Sequence, residues 1–174
     1  MAQTAPRDHV IIALEPNSIY ITTNISSSNR SGLRWALIHV DEVGGISRHE
    51  LGSADKTNVY GPEVYLSTDI IQAFNRFDNA TILAYFKIWN CPVPRRDRLE
   101  TICHRAAQRA AEQTGISPCS TFVTRVLGGL GLFPARVQEI EDNIGKKSNT
   151  TYGWRYLSCV HNLNLRYPTA ILTV

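Results

Sequence analysis

A change of periodicity at Cys91-Pro92-Val93-Pro94 constrains this chain more than any other feature. Before it, β-branched and aromatic residues gather in short runs. After it, apolar residues recur at helical spacing. Residues 9–14, 18–25, 33–41 and 80–89 read as strands, rich in Val, Ile, Thr, Tyr and Trp. Glu15-Pro16-Asn17 reads as a turn, and 26–32 as a polar loop. Gly44-Gly45 turns the 33–41 strand into 46–52, giving a hairpin. Residues 53–68, broken by Gly61-Pro62, carry no clear period. Asp69 fits the cap of a short helix through Phe77, with Ile70, Ile71, Phe74 and Phe77 as its stripe.

Beyond the prolines, Leu99, Ile102, Cys103, Ala106, Ala107 and Ala110 form the inner face of a helix from about Asp97 to Gln113, stopped by Gly115. A second helix begins near Cys119 and ends at Gly128-Gly129 or Gly131. A third opens at Pro134 and runs to about Asn143. Lys146–Thr151 reads as a polar loop, and Tyr156–Val160 and Ala170–Val174 as terminal strands. Strands early and helices late imply an α+β domain, an antiparallel sheet packed against helices. With 174 residues and 43% hydrophobic content, one globular domain over 1–174 can bury its core without staples.

The net charge of +3 asks for neither nucleic acid nor a membrane surface. Arg95, Arg96, Arg98, Arg105 and Arg109 lie along one helix as a solvated face, without interleaved aromatics. No stretch approaches a membrane span. The first residues lack the apolar core of a secretory signal, so a cytoplasmic location is expected. Sequons at Asn24, Asn29, Asn79 and Asn149 then carry no consequence. The cysteines at 91, 103, 119 and 159 should be reduced, and their spacing fits no zinc pattern. Cys159 and His161 could share one face of a strand, but two ligands make no zinc site. No cofactor or metal is implied.

Cys119 carries the clearest chemical suggestion. Ser117 suits an N-cap and Pro118 the first helical position, so the thiol falls in the first turn. Phe122, Val123, Val126, Leu127 and Leu130 form the apolar face behind it. Unpaired N–H groups and the positive end of the helix dipole favour the thiolate there. The plain alternative is a small buried apolar residue. A nucleophilic thiol needs a basic partner, usually His, within hydrogen-bond reach. His9 and His104 read as surface residues, and His39 shares a strand face with Trp35 and Leu37. His49 lies in the second arm of the hairpin, and His161 is followed by Asn162 and Asn164.

Leu33-Arg34-Trp35-Ala36-Leu37-Ile38, a glycine turn, Ser47-Arg48-His49 and the later Cys119-Ser120-Thr121-Phe122-Val123 resemble the circularly permuted papain-like families. These include the lecithin:retinol acyltransferase-like and permuted NlpC-type proteins, and the order is similar to that of small fungal domains. The resemblance spans roughly residues 9–133 and rests on pattern. It implies a thiol-dependent hydrolase or acyltransferase acting on an amide or ester, with Cys119 as nucleophile and His49 as its partner. The substrate would be a small molecule or peptide. Ser120 or Thr121, with backbone N–H groups, would stabilise the oxyanion.

One position departs from the family pattern. The His that precedes Trp in the family is replaced by Arg34, which cannot act as a base. Arg34 could instead bind an anion or stabilise a thiolate, beside Trp35. A second reading is therefore a relative that has lost hydrolysis and binds a small molecule or protein in the old cleft. A third uses His161 with Asn162 or Asn164. A repurposed enzyme without a thiol nucleophile is a further alternative, with Trp35, Tyr60, Tyr65, Trp89, Tyr152 and Trp154 as wall residues, each by itself an ordinary core or surface residue. Convergence of Cys119, His49 and Arg34 on one pocket would favour a repurposed site, whereas a Cys119 buried among apolar groups would favour a core thiol.

Overall fold

A computed structural model describes residues 14–25, 33–53, 63–70, 82–111, 118–160 and 170–173. Six strands form one sheet: β1 (Ser18–Ile25), β2 (Leu33–Val40), β3 (Ile46–Ser53), β4 (Glu63–Asp69), β5 (Ile82–Lys87) and β6 (Ala170–Thr173). Three helices join them: α1 (Arg96–Ala111), α2 (Pro118–Gly129) and α3 (Pro134–Val160). The sheet order is β4-β3-β2-β1-β5-β6, with the first five strands antiparallel to their neighbours and β6 parallel to β5. The architecture is α+β.

The β2–β3 hairpin turns through Asp41–Gly45, with Gly44 at φ 84°, a conformation open to glycine without steric cost. Asp41 Oδ1 accepts the amides of Val43 and Gly45 and holds the turn. Alternation along the strands then divides the sheet. Ile19, Ile21, Trp35, Leu37, Leu51, Ala84 and Phe86 pack against the helices. Tyr20, Ile38, Val40 and Tyr85 form a second cluster with Ile70.

The helices contribute Leu99, Cys103, Ala106 and Ala110 from α1, then Phe122, Val123, Val126 and Leu127 from α2, to the first cluster. Helix α2 ends in a Schellman motif. The amide of Leu132 bonds to the carbonyl of Leu127 and that of Gly131 to Gly128, with Gly131 at φ 95°. Among the described residues no helix is long and apolar enough to cross a membrane.

Two expectations change, both in α3, and the stretch read without a clear period resolves into a strand. Residues 63–69 form edge strand β4, and Asp69 is its last residue. The helix expected after Asp69, and the strand expected at 9–13, lie outside the described residues. Helix α3 continues through 146–151, expected as a loop, and through 156–160, expected as a strand. The reason is visible at Ser148. It continues the inward stripe of Val137, Ile140 and Ile144 and is buried, with its hydroxyl 2.9 Å from Thr23 Oγ1 on β1. A hydrogen-bonded serine at that position interrupts the apolar pattern without interrupting the helix.

Leu127 is fully buried between α2 and the sheet. Leu127→Ala should destabilise the protein by about 3 kcal/mol. Urea denaturation checks this, and a loss below about 1 kcal/mol would mean that α2 is not packed as described.

Candidate functional site

Direct register partners share a sheet face, so pairing across β2, β3 and β4 builds rows of side chains under α1. His39 pairs with Ser47, and Ser47 with Asp69. Leu37 pairs with His49, and His49 with Ser67. Leu51 pairs with Tyr65. Helix α1 meets the β4 members of these rows in order. Arg96 forms an ion pair with Asp69, Ser67 Oγ donates to Glu100 Oε1 at 3.3 Å, and Tyr65 packs against the cluster that holds Cys103. The spacing follows from geometry: three or four helical residues advance about 4.5–6 Å and two strand residues about 6.8 Å.

His49 lies at the centre and is fully buried. Its Nε2 is 2.9 Å from Ser47 Oγ and its Nδ1 2.7 Å from Tyr65 Oη. A hydroxyl can donate or accept, so both neutral tautomers of the ring are accommodated. Burial, reinforced by the nearby His39, lowers the His49 pKa to about 4. The Tyr65 ring lies nearly parallel to the imidazole, at an interplanar angle of 6°, and touches Phe122 of α2 and the exposed His104 of α1. Burial raises the Tyr65 pKa and pushes the Cys103 thiol up to about 12. At neutral pH this network is uncharged at His49, Tyr65 and Cys103.

Beside this network, His39 borders a cleft. The cleft, about 810 Å³ at one end of the sheet, is lined by Asn17, the β2–β3 turn and the start of α1. His39 lines it while only 2% exposed, and its Nε2 lies 3.1 Å from the carbonyl of Pro94. A carbonyl only accepts, so Nε2 carries the proton and Nδ1 is the acceptor. Desolvation lowers the His39 pKa and keeps the ring neutral at neutral pH. Val43 and Val93 supply apolar wall, and Asp41, Glu42, Arg95, Arg96, Asp97 and Glu100 the charges.

The residues singled out in the sequence occupy different surroundings. Cys119 lies in the first turn of α2, as expected, but is 5% exposed inside the apolar cluster that also holds Trp35. Ser120 beside it is half-buried. Arg34 sits on the opposite side of β2 from Trp35. Its guanidinium donates to the carbonyl of Leu51 at 2.5 Å and pairs with Glu63 at 3.1 Å. His49 shares the helix-facing side with Cys119, with Ser47 and Tyr65 on its two ring nitrogens. Cys159, expected on a strand, lies in α3, while His161, Asn162 and Asn164 fall outside the described residues. Trp89 is half exposed under Lys87 Nζ, 4.6 Å from the ring centre.

The sequence offered Tyr65 only as a wall aromatic and Cys103 only as part of an inner helix face, so their place beside His49 was missed, as was the cleft itself. The signal for Tyr65 was the alternation of Tyr65, Ser67 and Asp69, matched by Arg96, Glu100 and Cys103 one turn apart on the helix. Among the described residues no group of three or more His, Cys, Asp or Glu is placed to hold a metal ion. No protein-family model, curated protein or solved structure matches this chain. What the site can do therefore follows from its own chemistry.

The low pKa of His49 sets a pH dependence. Unfolded, His49 takes up a proton near its ordinary value of 6.5, whereas folded it does so only near 4. The unfolded state binds more protons in that window, so stability falls as pH drops from 6.5 to 4, by about 3 kcal/mol from this residue alone. His39 acts in the same direction. Thermal melts across this range check the slope, which should become distinctly shallower in His49→Gln.

Proposed function

We propose that this chain is a papain-like α+β domain of permuted order that binds a small molecule or short peptide in the cleft at His39, rather than acting through a thiol. The papain-like relationship is supported by the β2–β3 hairpin followed, later in the chain, by a helix that opens at Cys119. The binding reading is carried by one contrast. Cys119 is 5% exposed within the apolar cluster and is not among the residues that line the open cleft. A nucleophile must come within about 3.5 Å of its carbonyl, and a thiol sealed in the core is not reached by one. Engagement of His49 by Ser47 and Tyr65 points the same way, since its lone pair and its proton both serve the buried network.

One observation favours the second reading, a thiol-dependent hydrolase or acyltransferase. Cys119 occupies the first turn of α2, where the helix dipole stabilises a thiolate. Alkylation separates the two. With iodoacetamide at pH 7.5, Cys119 in the native protein should react at least about a hundredfold more slowly than in urea, because the reagent must await local opening. Native labelling faster than in urea would instead identify an activated thiol and restore Cys119 and His49 as a catalytic pair. Peptide mass spectrometry resolves Cys119 from Cys91, Cys103 and Cys159.

A further inference from the structure

Helix α1 carries more positive charge than its own carboxylates balance. Those carboxylates, Asp97 and Glu100, lie in its first two turns, where Arg95 and Arg96 pair with them. Arg98, Arg105 and Arg109 are exposed, and none makes an ion pair among the described residues. At about 100° per residue, Arg98, Ile102, Arg105 and Arg109 fall within an arc of about 60°, in a row about 16 Å long.

The row runs beside α2. Gly129 lies so near Ile102 that a Cβ on it would stand 2.6 Å from the Cγ2 of Ile102. Residues 112–117 form a short connection, so the two helices pack antiparallel. Arg125 is one turn before Gly129 on the same side of α2, which brings it level with Arg105. It too makes no ion pair among the described residues, and α2 carries no carboxylate. Arg98, Arg105, Arg109 and Arg125 thus concentrate on one seam more positive charge than the +3 of the whole chain. The local field favours an anion even though the net charge is mild.

The kind of anion follows from what this surface lacks. The exposed large apolar residues among those described are Val43, Val64, Trp89 and Phe133, and none belongs to α1 or α2. A protein partner is held around an apolar core, and a bilayer surface takes up apolar side chains. A phosphodiester backbone needs neither. It accepts from arginines and from hydroxyl and amide side chains. Exposed Thr101 and Gln108 on α1 and half-buried Thr121 on α2 supply such groups. Single strands are held by stacking on aromatic rings, and these helices expose no Phe, Tyr or Trp. The major groove of B-form DNA, about 12 Å wide, admits a helix, whereas that of A-form RNA is too narrow.

We propose that the α1–α2 seam binds the backbone of duplex DNA, without regard to base sequence, through Arg98, Arg105, Arg109 and Arg125. The row spans about five base pairs. None of the four arginines lines the cleft at His39, so this interaction stands or falls apart from the binding reading given there.

The test titrates the full chain into a fluorescein-labelled 20-base-pair DNA duplex of mixed sequence and follows anisotropy between 50 and 200 mM NaCl. Neutralising four phosphates gives a slope of about −3.6 in log K against log salt, so affinity should fall roughly a hundredfold over that range. Arg105→Gln with Arg109→Gln removes two exposed side chains and should reduce the slope to about −1.8. Arg136→Gln, a control on α3 whose guanidinium pairs with Glu139, should leave it unchanged. Amide shifts of the unaltered protein should concentrate in 98–109 and 121–129. Absence of binding at 50 mM NaCl, a slope unaltered by the double variant, or shifts confined to other elements would each overturn the proposal. Displacement of the duplex by single-stranded DNA, duplex RNA or poly-glutamate at equal or lower charge concentration would overturn the assignment to duplex DNA.

Discussion

The hydrogen bond between Tyr65 and His49 ties β4 to β3 in the register that α1 also meets. A buried imidazole must keep a partner on each nitrogen or lose free energy of the order of 1–3 kcal/mol. Ser47 supplies one from the same strand, two residues away. The other comes from β4, an edge strand. A slip of one residue in β4 would turn Tyr65, Ser67 and Asp69 to the other face and remove all three from α1. The bond thus fixes the pairing of β3 with β4, and β4 then fixes where α1 can lie. Phe122 against the Tyr65 ring extends the constraint to α2.

The position of α1 in turn makes the cleft. The segment leading into the helix passes His39 closely enough for Pro94 to accept from its ring. Arg96 then closes on Asp69 and Glu100. The carboxylates and guanidiniums of the first helical turn are gathered beside the β2–β3 turn, where Asp41 is already committed to the backbone amides of Val43 and Gly45. Packing of α2 has the opposite effect on Cys119. The same apolar stripe that anchors the helix draws its first turn into the core. One end of the sheet is consequently open and polar, and the thiol is enclosed.

The hairpin was legible because Gly44-Gly45 separates two alternating runs, and alternation needs no partner to be read. Helix α1 was legible for a similar reason, since its Leu, Ala and Cys stripe is continuous. Strand β4 was not. Its period-two residues on the helix side are Tyr65, Ser67 and Asp69, of which the last two are polar and stay exposed beside α1, so no apolar alternation marks the strand. The second half of α3 was hidden by Ser148, whose partner, Thr23, lies far away in the chain. At Cys119 the helix start was legible from Ser117-Pro118, but the thiol's enclosure was not, because it depends on α2 packing beside Trp35 and Leu37.

The sequence by itself determined the α+β division, the β2–β3 hairpin and the helical start at Cys119, because each follows from local periodicity, turn chemistry and capping. Only the tertiary structure decided that His49 would be a neutral member of a buried network and that His39 would face an open cleft. Both histidines lie on the helix-facing side of the sheet, on the neighbouring strands β2 and β3. What separates them is the cover each receives: Tyr65 and Ser47 bond to the ring of one, while Pro94 accepts from the ring of the other at the edge of the cleft. Such cover comes from residues remote in sequence, and burial and hydrogen bonding then set protonation and access.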